Sequence, residues 1–296
     1  MSSYFVIDLV NTLLSGLLIG SLYAIMALGL TIIQGVVRIF NFAHGGMSIL
    51  GGYLTFMFLS GAGFNLIVSM ILSCLLMFVF GLILYRGAIV FLVKKPNWEI
   101  ASVIFLLGLG ILMENLILQV FGARVKEIPV FFEDAFEFGF VRINHHDVVL
   151  IVFVMVFVLG LNLFFSRTWL GRSIRAVAQD IQGARVVGVN ANRTLGFAFG
   201  LASAVTGLAG ILLASKYYLT PQVGWEWMFK GFIIVVFGGL GTITGAIFAG
   251  LVMGLVEALI TFYGSQSWVW PAWFVIFLVI LLVKPEGLFG RKSASY

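Results

Sequence analysis

Two carboxylates stand where apolar sequence makes charge expensive: Glu114 in GLGILMEN and Glu257 in GLVMGLVEALI. A charged side chain at mid-membrane costs about 2.5–3.5 kcal/mol on insertion scales, so such groups normally face a bundle interior or a cavity. Each is a candidate gating, substrate-facing or ion-coupling acid. The alternative is a protonated or hydrogen-bonded interior group, or one solvated near the interface. Glu257 shares a helix face with Gly250 and Gly254, at spacings of seven and three, which turns it toward a close-packed neighbour rather than lipid. The run Arg38-Ile39-Phe40-Asn41-Phe42-Ala43-His44-Gly45-Gly46 is polar and glycine-bearing between two hydrophobic segments. Its Asn-x-x-His-Gly-Gly grouping reads as a helix interruption, with Asn41, His44 and Gly45 as candidates to line a solute path. His44 alone is more often a satisfied interior histidine than a ligand.

Catalytic chemistry is missing from this inventory. His44, His145 and His146 have no metal-site spacing, and no Ser/His/Asp or Cys/His constellation adjoins a plausible aqueous pocket. No GxxxxGK[ST] phosphate loop occurs. The chain therefore reads as a non-enzyme that binds no metal and no cofactor. If ATP-Mg drives it, the ATPase is a separate polypeptide.

The one long polar segment is 166–194, SRTWLGRSIRAVAQDIQGARVVGVNANRT, with five arginines against one aspartate, a formal +4. The positive-inside rule keeps such a loop in the cytoplasm. Its patterning predicts one or two short helices between about Leu170 and Val187, displayed as a docking surface for a soluble partner. Arg172, Arg175, Gln179 and Asp180 are the candidate polar contacts, and Ala184 and Gly188 would allow close approach.

The elements that position these groups follow from composition. Of 296 residues 61% are hydrophobic and 10% charged, with a mean hydropathy of +1.14. Soluble domains carry roughly 25% charged residues, so the chain reads as an all-α polytopic transmembrane helix bundle forming a single domain over 1–296. Cys74 is the only cysteine, which excludes an intrachain disulfide. The excess of 17 basic over 12 acidic residues is explained by cytoplasmic loops rather than by nucleic acid. The run from Val6 has neither a basic flank nor a small-residue cleavage site and reads as a retained first helix.

Hydrophobic runs place spans at 9–34, 47–60, 64–93, 100–121, 148–165, 195–215, 229–263 and 269–283. The run 229–263 would reach about 52 Å at 1.5 Å per residue, beyond a core of about 30 Å. It must break, and GGLGTITG at 238–245 is the place, so the expectation is eight or nine membrane segments, some broken or re-entrant. Gly238, Gly239 and Gly241 become path candidates, because irregular backbone at membrane depth survives only beside protein or a water-lined cavity. Other small-xxx-small pairs, Gly16/Gly20, Gly196/Gly200 and Gly250/Gly254, read as tight helix packing.

Charge sets the orientation. Placing 35–46, 94–99, 166–194 and 284–296 inside collects eleven of the 17 Lys and Arg residues, twelve with Arg86. Segment 122–146 then lies outside, as a small hairpin or an irregular loop, and the N-terminus is extracytoplasmic. Parity requires 229–263 to cross twice, which agrees with the break demanded by its length. Trp225, Trp227, Trp268 and Trp270 fall at outer span ends, as an interfacial belt would.

Several of these segments carry a resemblance. RIFNFAHGGMSILGGY is similar to the signature near the first spans of the branched-chain amino acid ABC transporter permeases, in their smaller, H-type subunit. GRSIRAVAQDIQGARVVGVNANR resembles that family's coupling loop, FGGLGTITGAIFAG its broken-helix signature and KPEGLFGRK its C-terminal ending, in the family's order over residues 9–292. The resemblance implies a heteromeric importer in a bacterial inner membrane. A second, M-type permease pairs with this one, two ATPase subunits dock below, and a periplasmic binding protein delivers substrate from above. Transport would proceed by alternating access, with branched-chain or related amino acids as substrates. Where the family's loop carries Glu-Ala-Ala and then Gly, this sequence has Gln182, Gly183, Ala184 and Gly188. The acid is gone, which shifts weight for docking onto Asp180 and the arginines. Two rival readings remain at this level: a urea or short-amide permease of the same family, and a stand-alone ion-coupled transporter using Glu114 and Glu257.

Overall fold

A computed structural model describes residues 2–132, 134–138 and 141–290. Glu133, Gly139 and the last six residues, with Arg291, Lys292 and Ser293, lie outside the described residues. The elements run α1 (Ser2–Val37), α2 (His44–Ser60), α3 (Leu66–Leu84), a π-helical turn (Tyr85–Ile89) leading into α4 (Val90–Leu92), and α5 (Trp98–Phe121). A strand pair follows, β1 (Ala135–Phe138) and β2 (Val141–Asn144), then α6 (His145–Arg167), α7 (Trp169–Gln179) and α8 (Ile181–Val186). The chain finishes with α9 (Ala191–Lys216), α10 (Val223–Gly238), α11 (Ile243–Tyr263) and α12 (Val269–Val283).

Among the described residues, seven helical stretches are long and apolar enough to cross a membrane. The shorter α2 and α10, of 17 and 16 residues, complete the bundle. At 1.5 Å per residue α10 spans about 24 Å, so the run 229–263 is divided between it and α11, as length and parity required.

The bundle has two unlike ends. One carries α7, α8 and their arginines and is called the basic end. The other carries β1 and β2, which pair antiparallel with Ala135 opposite Asn144 and Phe138 opposite Val141. This is the hairpin end. The positive-inside rule assigns the basic end to the cytoplasm.

Helices α1 and α9 form the centre: 89% and 83% of their crossing segments are buried, against 17% for α12. No hydrophobic effect drives helices together in lipid, so close backbone approach does. The Gly16/Gly20 pair of α1 packs on Leu251, Leu255 and Ala258 of α11, while Gly250 and Gly254 pack back on Ala24 and Gly20. Two small-xxx-small motifs far apart in sequence thus meet face to face. Gly196 and Gly200 of α9 receive Tyr85, Phe78 and Leu82 of the α3 segment.

The belt expected of tryptophan is partial. Trp268 is 66% exposed at the hairpin end, but Trp227 is 4% exposed and packs inside the bundle.

Candidate functional site

The Arg38–Ala43 segment returns from the basic end into the bundle without helical structure, beginning at Arg38 in the left-handed region (φ 58°). Helix α2 then starts half-way through the bundle, where Gly46 abuts Gly110 and Met113 of α5. Three residues hold the interruption. Asn41 is 2% exposed; its Oδ1 accepts from the Ala43 amide at 3.1 Å and its Nδ2 approaches Met47 Sδ at 3.3 Å. His44, fully buried, has Nε2 2.9 Å from the Met26 carbonyl of α1 and Nδ1 3.2 Å from Thr206 Oγ1 of α9. Gly45 lies against Gly224 at the start of α10, where a Cβ would collide with backbone.

Beside this interruption lies an apolar cleft of about 60 Å³, lined by Leu30, Phe40, Asn41, Phe42, Met228, Phe229 and Phe232. Asn41 is its one polar lining residue. Phe40, Phe42 and the α10 residues were not singled out by sequence reasoning, since aromatic and aliphatic residues occur throughout the chain.

The second interruption is elsewhere. Gly238 to Thr242 turn at the basic end, with Gly239 at φ 105° and Gly241 at φ 75°, conformations that L side chains rarely adopt. The carbonyls freed by the break are taken. Leu288 N donates to Phe237 O at 2.8 Å and Phe289 N to Gly238 O at 3.0 Å. Thr242 Oγ1 donates to Gly239 O at 2.7 Å. The C-terminal KPEGLFG segment thus closes α10, while Gly241 borders a cleft shared with Gly35 of α1 and Arg175 of α7. The two interruptions are not brought together.

The two interior acids are both partnered. Glu114 accepts from the indole N–H of Trp225, which ties α5 to the start of α10. Glu257, 5% exposed, accepts from Tyr23 Oη at 3.0 and 3.1 Å and from Lys230 Nζ at 3.2 Å. Lys230 also donates to Tyr23 Oη at 2.7 Å and pairs with Glu226 Oε1 at 3.2 Å, one helical turn before it. The rings of Tyr23, Trp270 and Trp273 surround its ammonium at 5.1–5.6 Å, where cation–π attraction offsets part of its lost hydration. Lys230 escaped sequence reasoning, although a lysine inside WEWMFKGFIIVV carries the same signal as a buried acid.

At the basic end, α7 is amphipathic. Gly171, Ser173, Ile174 and Val177 face inward, with Arg172, Arg175 and Gln179 exposed. Asp180 caps α8, accepting from the Gln182 amide at 2.9 Å. Ala184 is 4% exposed and turned into the chain, not outward. Gly188, at φ 85°, ends α8. Val186 and Val187, 87% and 76% exposed, project furthest of this segment's apolar residues, with Trp169 at 65%.

The all-α membrane bundle, with interrupted helices, paired interior charges and a basic helix pair at one end, is that of a permease subunit rather than an enzyme, as its relatives are. The sequence model of the branched-chain amino acid transport system permease component matches residues 12–284, and the chain belongs to that family. It is 29% identical to the permease protein BraD of a high-affinity branched-chain amino acid transport system in Pseudomonas aeruginosa, over 96% of both chains. Against the corresponding LivH protein of Escherichia coli K12 it is 29% identical over 95% of both chains. The autoinducer 2 import system permease LsrC of Yersinia enterocolitica matches at 29% over 39% of this chain. The fold is similar to a chain of PsaBC from Streptococcus pneumoniae in complex with Fab, with a TM-score of 0.52 over 98% of both chains; at 13% identity the likeness is one of fold alone.

Proposed function

We propose that this multi-pass chain is the permease subunit of an ATP-driven importer in a bacterial inner membrane, carrying branched-chain or related aliphatic amino acids inward by alternating access. Family membership supplies the coarse reading: a permease subunit working with ATPase and binding-protein partners. The observation that carries the rest is the pairing of an apolar cleft midway through the bundle with an exposed basic helix pair at one end. The cleft beside Asn41 is walled by Leu30, Met228 and four phenylalanines, a lining suited to a branched aliphatic side chain and poor for urea. Its small volume suits a transient passage, since tight binding midway would slow release.

Helices α7 and α8 offer arginines and the Val186–Val187 knob to a cleft on an ATPase subunit, which uses ATP-Mg while this chain binds none. A second, M-type permease covers the cleft from the side, and a periplasmic binding protein docks at the hairpin end. The test is a strain lacking this chain: uptake of labelled leucine and valine should fall and return with the restored gene, while urea uptake stays unchanged. Loss of urea uptake with normal leucine uptake would replace the substrate assignment.

A further inference from the structure

A polar cavity of about 530 Å³ opens between α1 and α11 at the hairpin end, away from the Asn41 cleft. Helix α1 turns Asp8, Asn11, Thr12 and Ser15 to it, an i, i+3, i+4, i+7 stripe of polar groups along one face. Glu257 lies at its floor and Thr261 on its wall. Polar stripes on membrane helices are costly and mark solute or ion pathways. This one is not consumed by packing. Asn11 Oδ1 is buried and has no hydrogen-bond partner, a state rare in folded proteins without a ligand or water to complete it.

The charge of the surroundings has a sign. Glu257 and Glu226 share the single ammonium of Lys230. Among the described residues no cation pairs with the Asp8 carboxylate. Lys216 at this end is taken by Asp147 at 2.8 Å. Among the described residues two carboxylates, Asp8 and Glu257, and no cation line the cavity, which favours a donor bearing positive charge. A primary ammonium supplies three such donors.

We propose that this cavity is a recognition site for the ammonium group of a small solute, seated between Asp8 and Glu257. The physiological ligand rests on the amino-acid reading above. The site deepens that reading by assigning what the permease inspects at the hairpin end: a cationic amine, which neutral urea and amides lack.

The test uses the purified complex with its partner subunits, carrying Cys74→Ser and either Ser15→Cys or Thr261→Cys as reporter. The cationic ethyltrimethylammonium methanethiosulfonate should modify each reporter about tenfold faster than the anionic ethylsulfonate reagent, after correction for their rates on a free thiol. Asp8→Asn, a change at the exposed mouth, should cut that preference roughly threefold; Glu257→Gln should act in the same direction where it folds. L-leucine and 3-methylbutylamine should each slow modification, and 4-methylpentanoate, which has leucine's skeleton without the ammonium, should not. Equal rates for the two reagents, or protection by 4-methylpentanoate equal to that by the amine, would overturn the site. Because 3-methylbutylamine reports the ammonium alone, the site can fail while leucine transport stands, and can hold when leucine is not the cargo.

Discussion

Lys230 Nζ lies 3.2 Å from Glu257 Oε1, joining α10 to α11 through an ion pair in which both side chains are 6% exposed. Tyr23 of α1 bridges the two, so one cluster ties the central helix to both halves of the divided segment 229–263. Breaking a buried pair by removing one partner costs about 3–5 kcal/mol, whereas replacing both with apolar groups is often nearly neutral. Lys230→Met should therefore lower the thermal midpoint of the detergent-solubilised complex markedly, and Lys230→Met with Glu257→Met should recover most of the loss. Tyr23→Phe should cost less, about 1.5–3 kcal/mol for hydrogen bonds to charged groups. A double variant as unstable as the sum of its singles would show that the pair is not coupled.

The helix pair α7–α8 separates two effects that the sequence alone merges. Ala184 is buried, so Ala184→Trp should disturb the chain's own packing and reduce the yield of assembled complex. Val186, 87% exposed, should behave differently. Val186→Asp should leave assembly intact and uncouple ATP hydrolysis from uptake, measured as a lower ratio of solute moved to ATP split. Normal coupling in Val186→Asp would place the docking surface elsewhere.

Gly239 stands at φ 105° with the Gly290 backbone against it. A side chain there meets both left-handed strain, roughly 1–2 kcal/mol, and the C-terminal segment that caps α10. Gly239→Leu should displace that segment and expose the end of α10 to protease, with reduced uptake following from lost packing. Unaltered protease resistance alongside abolished uptake would instead favour a direct place for the break in the path.

Topology can be read with single cysteines on a Cys74→Ser background. Phe136→Cys, in β1, should react with an impermeant thiol reagent added to intact cells, and Val187→Cys, beyond α8, only after permeabilisation. The opposite pattern would invert the assignment of the basic end.

Much of the bundle was legible because membrane insertion leaves few options: a hydrophobic run long enough to cross is a helix, and the excess length of 229–263 forced its division. The pairing of strands 135–138 and 141–144 was one of two open readings, since alternation over so few residues is weak evidence. The site was less legible. Glycine spacing turns Glu257 toward a close-packed neighbour, but Tyr23 and Lys230 reach it from other helices, and no periodicity within one helix encodes that meeting. The closure of α10 by Leu288 and Phe289 was hidden for the same reason. Ala184 was read outward because its segment is polar, whereas an isolated small residue beside a buried face turns inward.

The central claim is ATP-driven import of an aliphatic amino acid through a complex containing this chain. It is tested most directly by reconstituting the chain with its second permease, ATPases and binding protein in vesicles, with ATP supplied on the basic side and labelled leucine on the other. The expected result is concentrative leucine uptake that stops when ATP is replaced by a non-hydrolysable analogue and is not competed by urea. Leucine movement that proceeds equally without hydrolysis, or uptake absent for leucine and present for urea, would contradict it.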